Sequence, residues 1–430
     1  MKKRFFIIVS LLLAVTQLAQ VCGGPSNGPA PDEVEIVIWK TFDDQADMQV
    51  LFDAYQAQNP NVRFTYTRKD IATYEDELLE ALATGNGPDI FTIHNDWLPR
   101  YQNKMLPAPE GLFSAREFQE SFIDVASDEL VDLNGGIFAV PLYVDTLALY
   151  YNKDLLGSAG IATPPRTWAE VVDAVKKLTR QDRFGNFLIN GIALGTSDNI
   201  NRATDILSLL MLQNGTQFYN SARTTAALNR TVTAQDGSQY NPGAQALEFY
   251  TQFANPAKET YTWNAKNNHS IDSFVAGQTA MMLSYSYLLP TLESKAPLLN
   301  FGVAPVPQID LTKPKVNFAN YFAEGVSKAS DNPDWAWDFL KFATNEEPLR
   351  SFYAVNKQPS SRKDIISTQI SDPQIGVFAE GALTAKTFYK PDSARIEAAL
   401  EDMIGDVILR GMTPSKAVDN GNQLFNNLLR

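Results

Sequence analysis

Between residues 34 and 93 the apolar side chains switch repeatedly between strand and helix spacing, and no other feature of the chain constrains its fold as tightly. Val34-Glu35-Ile36-Val37-Ile38-Trp39 is a β-branched run. Met48, Leu51, Phe52 and Tyr55 recur at the spacing of one helical face, and Asn59-Pro60 ends that helix. Val62, Phe64 and Tyr66 alternate as a strand does. Tyr74, Leu78, Ala81 and Leu82 form a second helical stripe closed by Gly85, and the run 89–93 is a third strand. Strand, helix, strand, helix, strand predicts a parallel sheet with helices on its faces. In open sheets of this kind ligands bind beyond the carboxyl ends of the strands. Two polar strand ends, Thr41-Phe42-Asp43-Asp44 and His94-Asn95-Asp96-Trp97, are therefore expected to face one space.

The chain has 430 residues, more than one ordinary core organises, so two lobes are expected. Its formal net charge of -13, with acids scattered and no basic block, argues against a nucleic-acid partner. Lys2, Lys3 and Arg4 precede a nearly unbroken apolar stretch, 5–18, too short to span a bilayer but suited to a secretory signal. Residues 1–22 are expected to be that signal. The single cysteine, Cys22, closes that segment just after the apolar stretch, so no disulfide within the chain can hold the fold. Residues 23–33 open on Gly23-Gly24-Pro25-Ser26-Asn27-Gly28-Pro29, too poor in apolar side chains to pack, and read as a flexible tether. A lone cysteine between an export signal and a tether resembles a bacterial lipoprotein, with Cys22 lipidated and the protein held at the outer face of the cell membrane. Ordinary cleavage near Gly23 and release is the other reading.

Further along, Thr167-Trp168-Ala169-Glu170 is a capping-box pattern opening a helix striped by Trp168, Val171, Val172, Val175 and Leu178. Asn332-Pro333 opens a helix striped by Trp335, Phe339 and Phe342, and Thr413-Pro414 a last one with Ala417, Leu424 and Leu428 on one face.

Six stretches occur in the order seen in one family: "ATGNGPDIF", "GGIFAVPLYVDTLALYYNKDLL", "PPRTWAEVVDAVKKL", "FVAGQTAMMLSYSY", "FGVAPVPQ" and "VSKASDNPDWAWDFLKFAT". The chain resembles the extracellular solute-binding proteins of family 1, the sugar-binding subunits of ABC importers, over nearly all of its length after the tether. The resemblance implies an α/β, two-lobe, periplasmic-binding-protein-like fold of class II. Three hinge crossings would join the lobes and the ligand would lie between them. The first lobe is expected at 34–143 and 308–345 and the second at 147–304 and 346–430. Hinge strands are expected at 144–146 and 305–307, with a third crossing at 344–349. It also implies a monomer that delivers a carbohydrate to membrane permease subunits, with no cofactor, no metal and no catalysis.

A pyranose presents apolar C–H faces and a rim of hydroxyls, which suits an aromatic plate edged by carboxylates and amides. Matching the family stretch by stretch nominates Asp43, Asp44, Asn95, Asp96, Trp97 and Tyr321 in the first lobe. Asp145 falls at the first crossing, and Asn201, Trp263, Tyr285 and Tyr287 in the second lobe. Asn199, Arg202, Tyr389 and Arg395 match more loosely. Asp96 falls where the family often places a hydroxyl-binding acid, while the usual stacking aromatic is displaced to Trp97 and its place holds Ile93. Each has a structural alternative: Asp96 as a helix N-cap, Asp145 as a hinge hydrogen-bonder, Arg202 as an ion partner of Asp205, and one of the two tyrosines as core. His94 is expected to be structural. A non-sugar solute such as a polyamine or peptide is a second functional reading. A secreted glycoside hydrolase using Asp43, Asp96 or Asp145 is a third. Two distant histidines and one cysteine cannot assemble a zinc site from imidazoles and thiolates.

Overall fold

The computed structural model describes residues 33–429 except 235, so the signal segment, Cys22 and nearly all of the tether lie outside the described residues. The strand Val34–Lys40 pairs in parallel with Val62–Arg68, from Val34 opposite Val62 to Lys40 opposite Arg68, and with Ile90–His94 on its other side. Gly85 ends the helix Ile71–Thr84 in the left-handed conformation at φ 75°, its amide bonding to the Ala81 carbonyl. A fourth strand, Phe322–Ser327, enters antiparallel beside Ile90–His94, pairing Phe322 with His94 and Val326 with Ile90. Met105–Leu106 completes a five-stranded sheet.

A second sheet runs Met281–Ser284, Ala148–Asn152, Phe301–Pro305, all antiparallel neighbours. Around it pack the helices Trp168–Leu178 and Ala203–Gln213. The capping box at Thr167 forms: its hydroxyl accepts the Glu170 amide at 3.2 Å, and the Glu170 carboxylate accepts the Thr167 amide at 3.2 Å. The buried apolar residues thus divide into two separate cores, one on each sheet.

Between the cores lies a small sheet in which Asn317–Asn320 is central, antiparallel to Asp145–Thr146 and parallel to Ala385–Lys386. Val144 belongs to the first core and Leu147 to the second, so the chain changes lobes at 145–146. The other expected boundaries shift. Ala304, Val306 and Phe318 lie in the second core and Ala319 in the first, so the return falls between 318 and 319 rather than at 305–307. Pro305 is still in the second-lobe sheet, opposite Ala148. The helices Glu346–Asn356 and Lys363–Gln369, expected in the second lobe, bury Leu349, Phe352, Tyr353, Ile365 and Ile366 in the first core. The first of them lies on the helix Gln45–Gln56, with Asn356 donating to the Asp47 carbonyl at 3.3 Å. The chain returns to the second lobe only around the helix Gly376–Ala382, with Phe378 in the second core and Ala379 and Ala382 in the first. After it, Ala385 is first core and Phe388 second.

Candidate functional site

The carboxyl ends of Val34–Lys40 and Ile90–His94 meet the start of Phe322–Ser327, and aromatic side chains gather there. The Phe42 ring lies edge-on to Phe322 at 5.1 Å, and Phe322 meets His94 at 4.9 Å and Trp97 at 6.2 Å. Trp97, half-buried, stacks on Tyr74 at 6.3 Å and Tyr101 at 5.8 Å. Phe42 is 48% exposed, the open end of this arc. Beneath it, buried Lys40 pairs with Asp43 at 3.1 Å and with Glu324. Burial disfavours the Lys40 ammonium, but the Glu324 and Asp43 carboxylates outweigh it and raise the pKa. Asp43 also takes contacts from the Tyr143 hydroxyl at 3.4 Å, so its carboxylate is held inside the lobe. Asp44 sits outside, at the N-cap of the helix Gln45–Gln56, paired with Arg68 at 2.5 Å.

At the base of the cleft three charged side chains line up. His94 Nδ1 lies 2.5 Å from Asp96 Oδ1, and Lys390 Nζ lies 2.9 Å from Asp96 Oδ2. Lys390 follows Phe388 of the second core, and Glu397 of the helix Ser393–Ile408 is 3.4 Å from it, so this chain of charges spans the two lobes. Burial would raise the Asp96 pKa, but His94 and Lys390 together hold it well below the usual carboxylate range. Burial likewise opposes the His94 imidazolium, and the adjacent Asp96 carboxylate overrides it and raises the pKa. Asn95 and Tyr321 converge on a different acid. Asn95 Nδ2 donates to Glu129 at 3.0 and 3.2 Å, and the Tyr321 hydroxyl donates to it at 2.7 Å. The Thr387 hydroxyl reaches Glu129 from the second-lobe side. Burial raises the Glu129 pKa against the pull of these donors.

On the opposing side Asp145, at the first crossing, accepts from the Ser286 amide at 3.0 Å, the Ser286 hydroxyl at 2.8 Å and the Tyr287 amide at 3.3 Å. It therefore holds the turn after Met281–Ser284. Burial pushes its pKa up to about 6 despite these donors. Tyr285 is buried, its hydroxyl donating to Asp205 at 2.9 Å. Tyr287 stacks on it at 6.0 Å, and is 45% exposed. The Tyr287 oxygen accepts from Asn201 Nδ2 at 3.0 Å and Arg202 Nε at 3.4 Å. The Arg202 guanidinium lies 5.6 and 5.7 Å from the two tyrosine rings, on a backbone at φ 60° that a side chain rarely adopts.

The nominated residues thus fall into separate groups. Asp96 and Trp97 lie with the first-lobe aromatics, Asn95 and Tyr321 behind them on Glu129, and Asn201, Tyr285, Tyr287 and Asp145 together on the second lobe. Trp263 does not join either jaw. It is fully buried in the second core, with Nε1 donating to Asn199 Oδ1 at 3.0 Å, so its faces are packed. Phe42, Phe322, Glu129 and Lys390 were not nominated. Tyr321 lies in the break between the strands Asn317–Asn320 and Phe322–Ser327, and Phe322 directly follows it, so adjacency to Tyr321 is the sequence signal for Phe322. His94, expected to be structural, is the bridge between Asp96 and the aromatics. Among the described residues no group of histidine, cysteine and carboxylate side chains is arranged to hold a metal, and no helix is long and apolar enough to cross a membrane.

Two α/β lobes on a three-stranded hinge sheet, with aromatic and polar side chains on both facing edges, define a two-lobe binding protein. Residues 39–348 match the family described as bacterial extracellular solute-binding protein, and the chain belongs to that family. Among curated relatives, the maltodextrin-binding protein of Bacillus subtilis is 24% identical over 457 residues, covering 100% of this chain and 98% of its own length. The maltotriose-binding protein of Pyrococcus abyssi is 22% identical over 394 residues, covering 86% of this chain and 78% of its own. The fold is shared with the cyclic α-maltosyl-1,6-maltose binding protein from Arthrobacter globiformis, at a TM-score of 0.76 and 19% identity over 92% of this chain and 99% of that one.

Proposed function

We propose that this chain is the extracytoplasmic solute-binding subunit of an ABC importer that captures a sugar or oligosaccharide by closing two lobes on it. The observation that carries this is the pairing of half-exposed aromatics on opposite lobes. Phe42 with Trp97 and Phe322 forms one plate, and Tyr287 edged by Asn201 and Arg202 forms the other. An aromatic plate with amide, guanidinium and hydroxyl groups at its rim suits a pyranose face. A solute touching both plates gains contacts only when the lobes are shut, which is the differential affinity that closure needs. Several relatives are named for maltotriose, maltodextrin and galactooligosaccharide, which favours a carbohydrate over a polyamine or peptide. Lipidation of Cys22 would hold the protein beside its permease, and it acts as a monomer carrying no cofactor.

The carboxylates Asp43, Asp96 and Asp145 are engaged with Lys40, with His94 and Lys390, and with Ser286, which disfavours their use as a hydrolytic pair. A thermal-shift screen of the mature chain against neutral oligosaccharides tests the reading. Solute at a hundredfold excess over its dissociation constant stabilises by about 2.7 kcal/mol. Silence across sugars with a response to amines or peptides selects the non-sugar reading, and release of shorter sugars from an oligosaccharide selects the hydrolase.

A further inference from the structure

Beside the hinge, away from both aromatic plates, lies a cavity of about 370 Å³. Its walls come from the loop 163–166, the segment 304–317 and the helix Gly376–Ala382 with its C-terminal turn. The lining is mainly apolar, with Pro164, Pro165, Val306 and Val377 among its walls. Leu311 and Leu383 line it yet are exposed, so its mouth is apolar too. A mainly apolar cavity of a few hundred Å³ edged by a few polar groups is the usual setting of a small-molecule site. At the rim, Lys315 is neutralised by Glu380 at 3.0 Å. Arg166 also borders the cavity, and among the described residues its guanidinium has no carboxylate partner. The structure therefore assigns a second binding site here, for a small amphipathic anion. Its apolar body would fill the cavity and its carboxylate would meet Arg166.

The site is wired to the hinge. Gly381, in the wall helix, is pressed against both lobe-crossing strands. A Cβ there would lie 2.5 Å from Asn317 Nδ2 and 2.6 Å from Thr146 Oγ1. The wall helix Gly376–Ala382 buries Phe378 in the second core and Ala379 and Ala382 in the first, while the other walls belong to the second lobe, so moving the lobes moves one wall of the cavity and an occupant fitted to it here favours this arrangement. By reciprocity, a cleft solute would tighten the second site by the same factor by which an occupant there tightens the solute.

Octanoate and the uncharged octan-1-ol serve as probes, titrated calorimetrically into the mature chain, with closure followed as the radius of gyration by X-ray scattering. Octanoate is expected to bind once per chain and to reduce the radius of gyration. Val377→Trp, which fills the cavity, and Leu311→Glu, which charges its exposed mouth without touching the core, each abolish that binding. Arg166→Ala weakens octanoate roughly tenfold and leaves octan-1-ol unchanged. Absence of saturable octanoate binding, or wild-type binding in folded Leu311→Glu, overturns the site. Binding with an unchanged or larger radius overturns its link to the hinge. Because these readouts involve no sugar, they stand or fall independently of the carbohydrate proposal.

Discussion

Asp96 of the first lobe and Lys390 of the second form an ion pair at 2.9 Å with both side chains buried, and it joins the lobes beneath the aromatic plates. Removing one partner of a buried pair ordinarily costs about 3–5 kcal/mol because a bare charge stays behind. Because this pair crosses between the lobes, the opening that the proposed closure implies would rehydrate that charge.

Asp96→Asn is therefore expected to open the protein rather than unfold it. The radius of gyration should grow and sugar affinity fall, while the urea midpoint moves little. A midpoint lowered by the equivalent of about 3 kcal/mol with an unchanged radius would instead make the pair a scaffold element.

The exposed aromatics separate binding from stability. Phe42→Ala and Tyr287→Ala remove rings that are nearly half exposed, and each should weaken sugar binding by about 0.5–1.5 kcal/mol, read by titration calorimetry. Their urea midpoints should match the wild type. Unchanged affinity in both variants would place the solute elsewhere.

Trp263→Ala should behave in the opposite way. Its ring is fully packed in the second core, so truncation is expected to cost about 3–5 kcal/mol in urea unfolding. The protein that remains folded should bind sugar as before, because the indole reaches neither plate.

Asp145, His94 and Asp96 are among the groups that give stability a slope against pH. The Asp145 carboxyl titrates near 6 in the folded chain against about 3.9 unfolded. The native state therefore holds a proton that the unfolded chain has released, and this advantage is lost as pH rises from about 4 to about 6. His94, raised above its ordinary value of about 6.5, contributes stability that is present below that value and lost above it. Asp96 has the opposite sign: its contribution is present above the ordinary carboxylate value of about 3.9 and is lost progressively as pH falls below it. Urea midpoints should thus decline from mild acid through neutrality. Asp145→Asn should flatten the acid part of that slope, and His94→Gln the part near neutrality. Parallel curves for all three proteins would refute the assignment.

Gly381→Ala tests the hinge directly. The added methyl overlaps Asn317 and Thr146, whose side chains bond to the Leu147 and Phe378 carbonyls at 2.9 and 3.0 Å. A loss of about 1–3 kcal/mol in urea unfolding is expected, with a shifted radius of gyration. A variant indistinguishable from wild type in both would show that the hinge strands yield freely.

Local chemistry was legible where it was decided locally. The strand–helix alternation from Val34 to Ile93, the left-handed Gly85 and the Thr167–Glu170 box all follow from neighbours a few residues apart. The last helix, Pro414–Leu428, shows where this fails: spacing groups Ala417, Leu424 and Leu428 on one face, yet Leu424 is exposed while Ala417 and Phe425 are buried. A stripe of few apolar residues leaves the face ambiguous by one position.

The sequence by itself determined the alternating elements, the need for two cores without a disulfide, and the polar strand ends at Asp43 and Asp96. Tertiary structure alone decided which side chains face the cleft and which serve the scaffold. Lys40 is neutralised by Glu324, Phe42 is propped by Phe322, and Asp96 is held by Lys390, each partner at least 280 residues away. A side chain's charge state and exposure depend on what the fold brings against it. No local spacing carries that information when the partners belong to different returns of the chain.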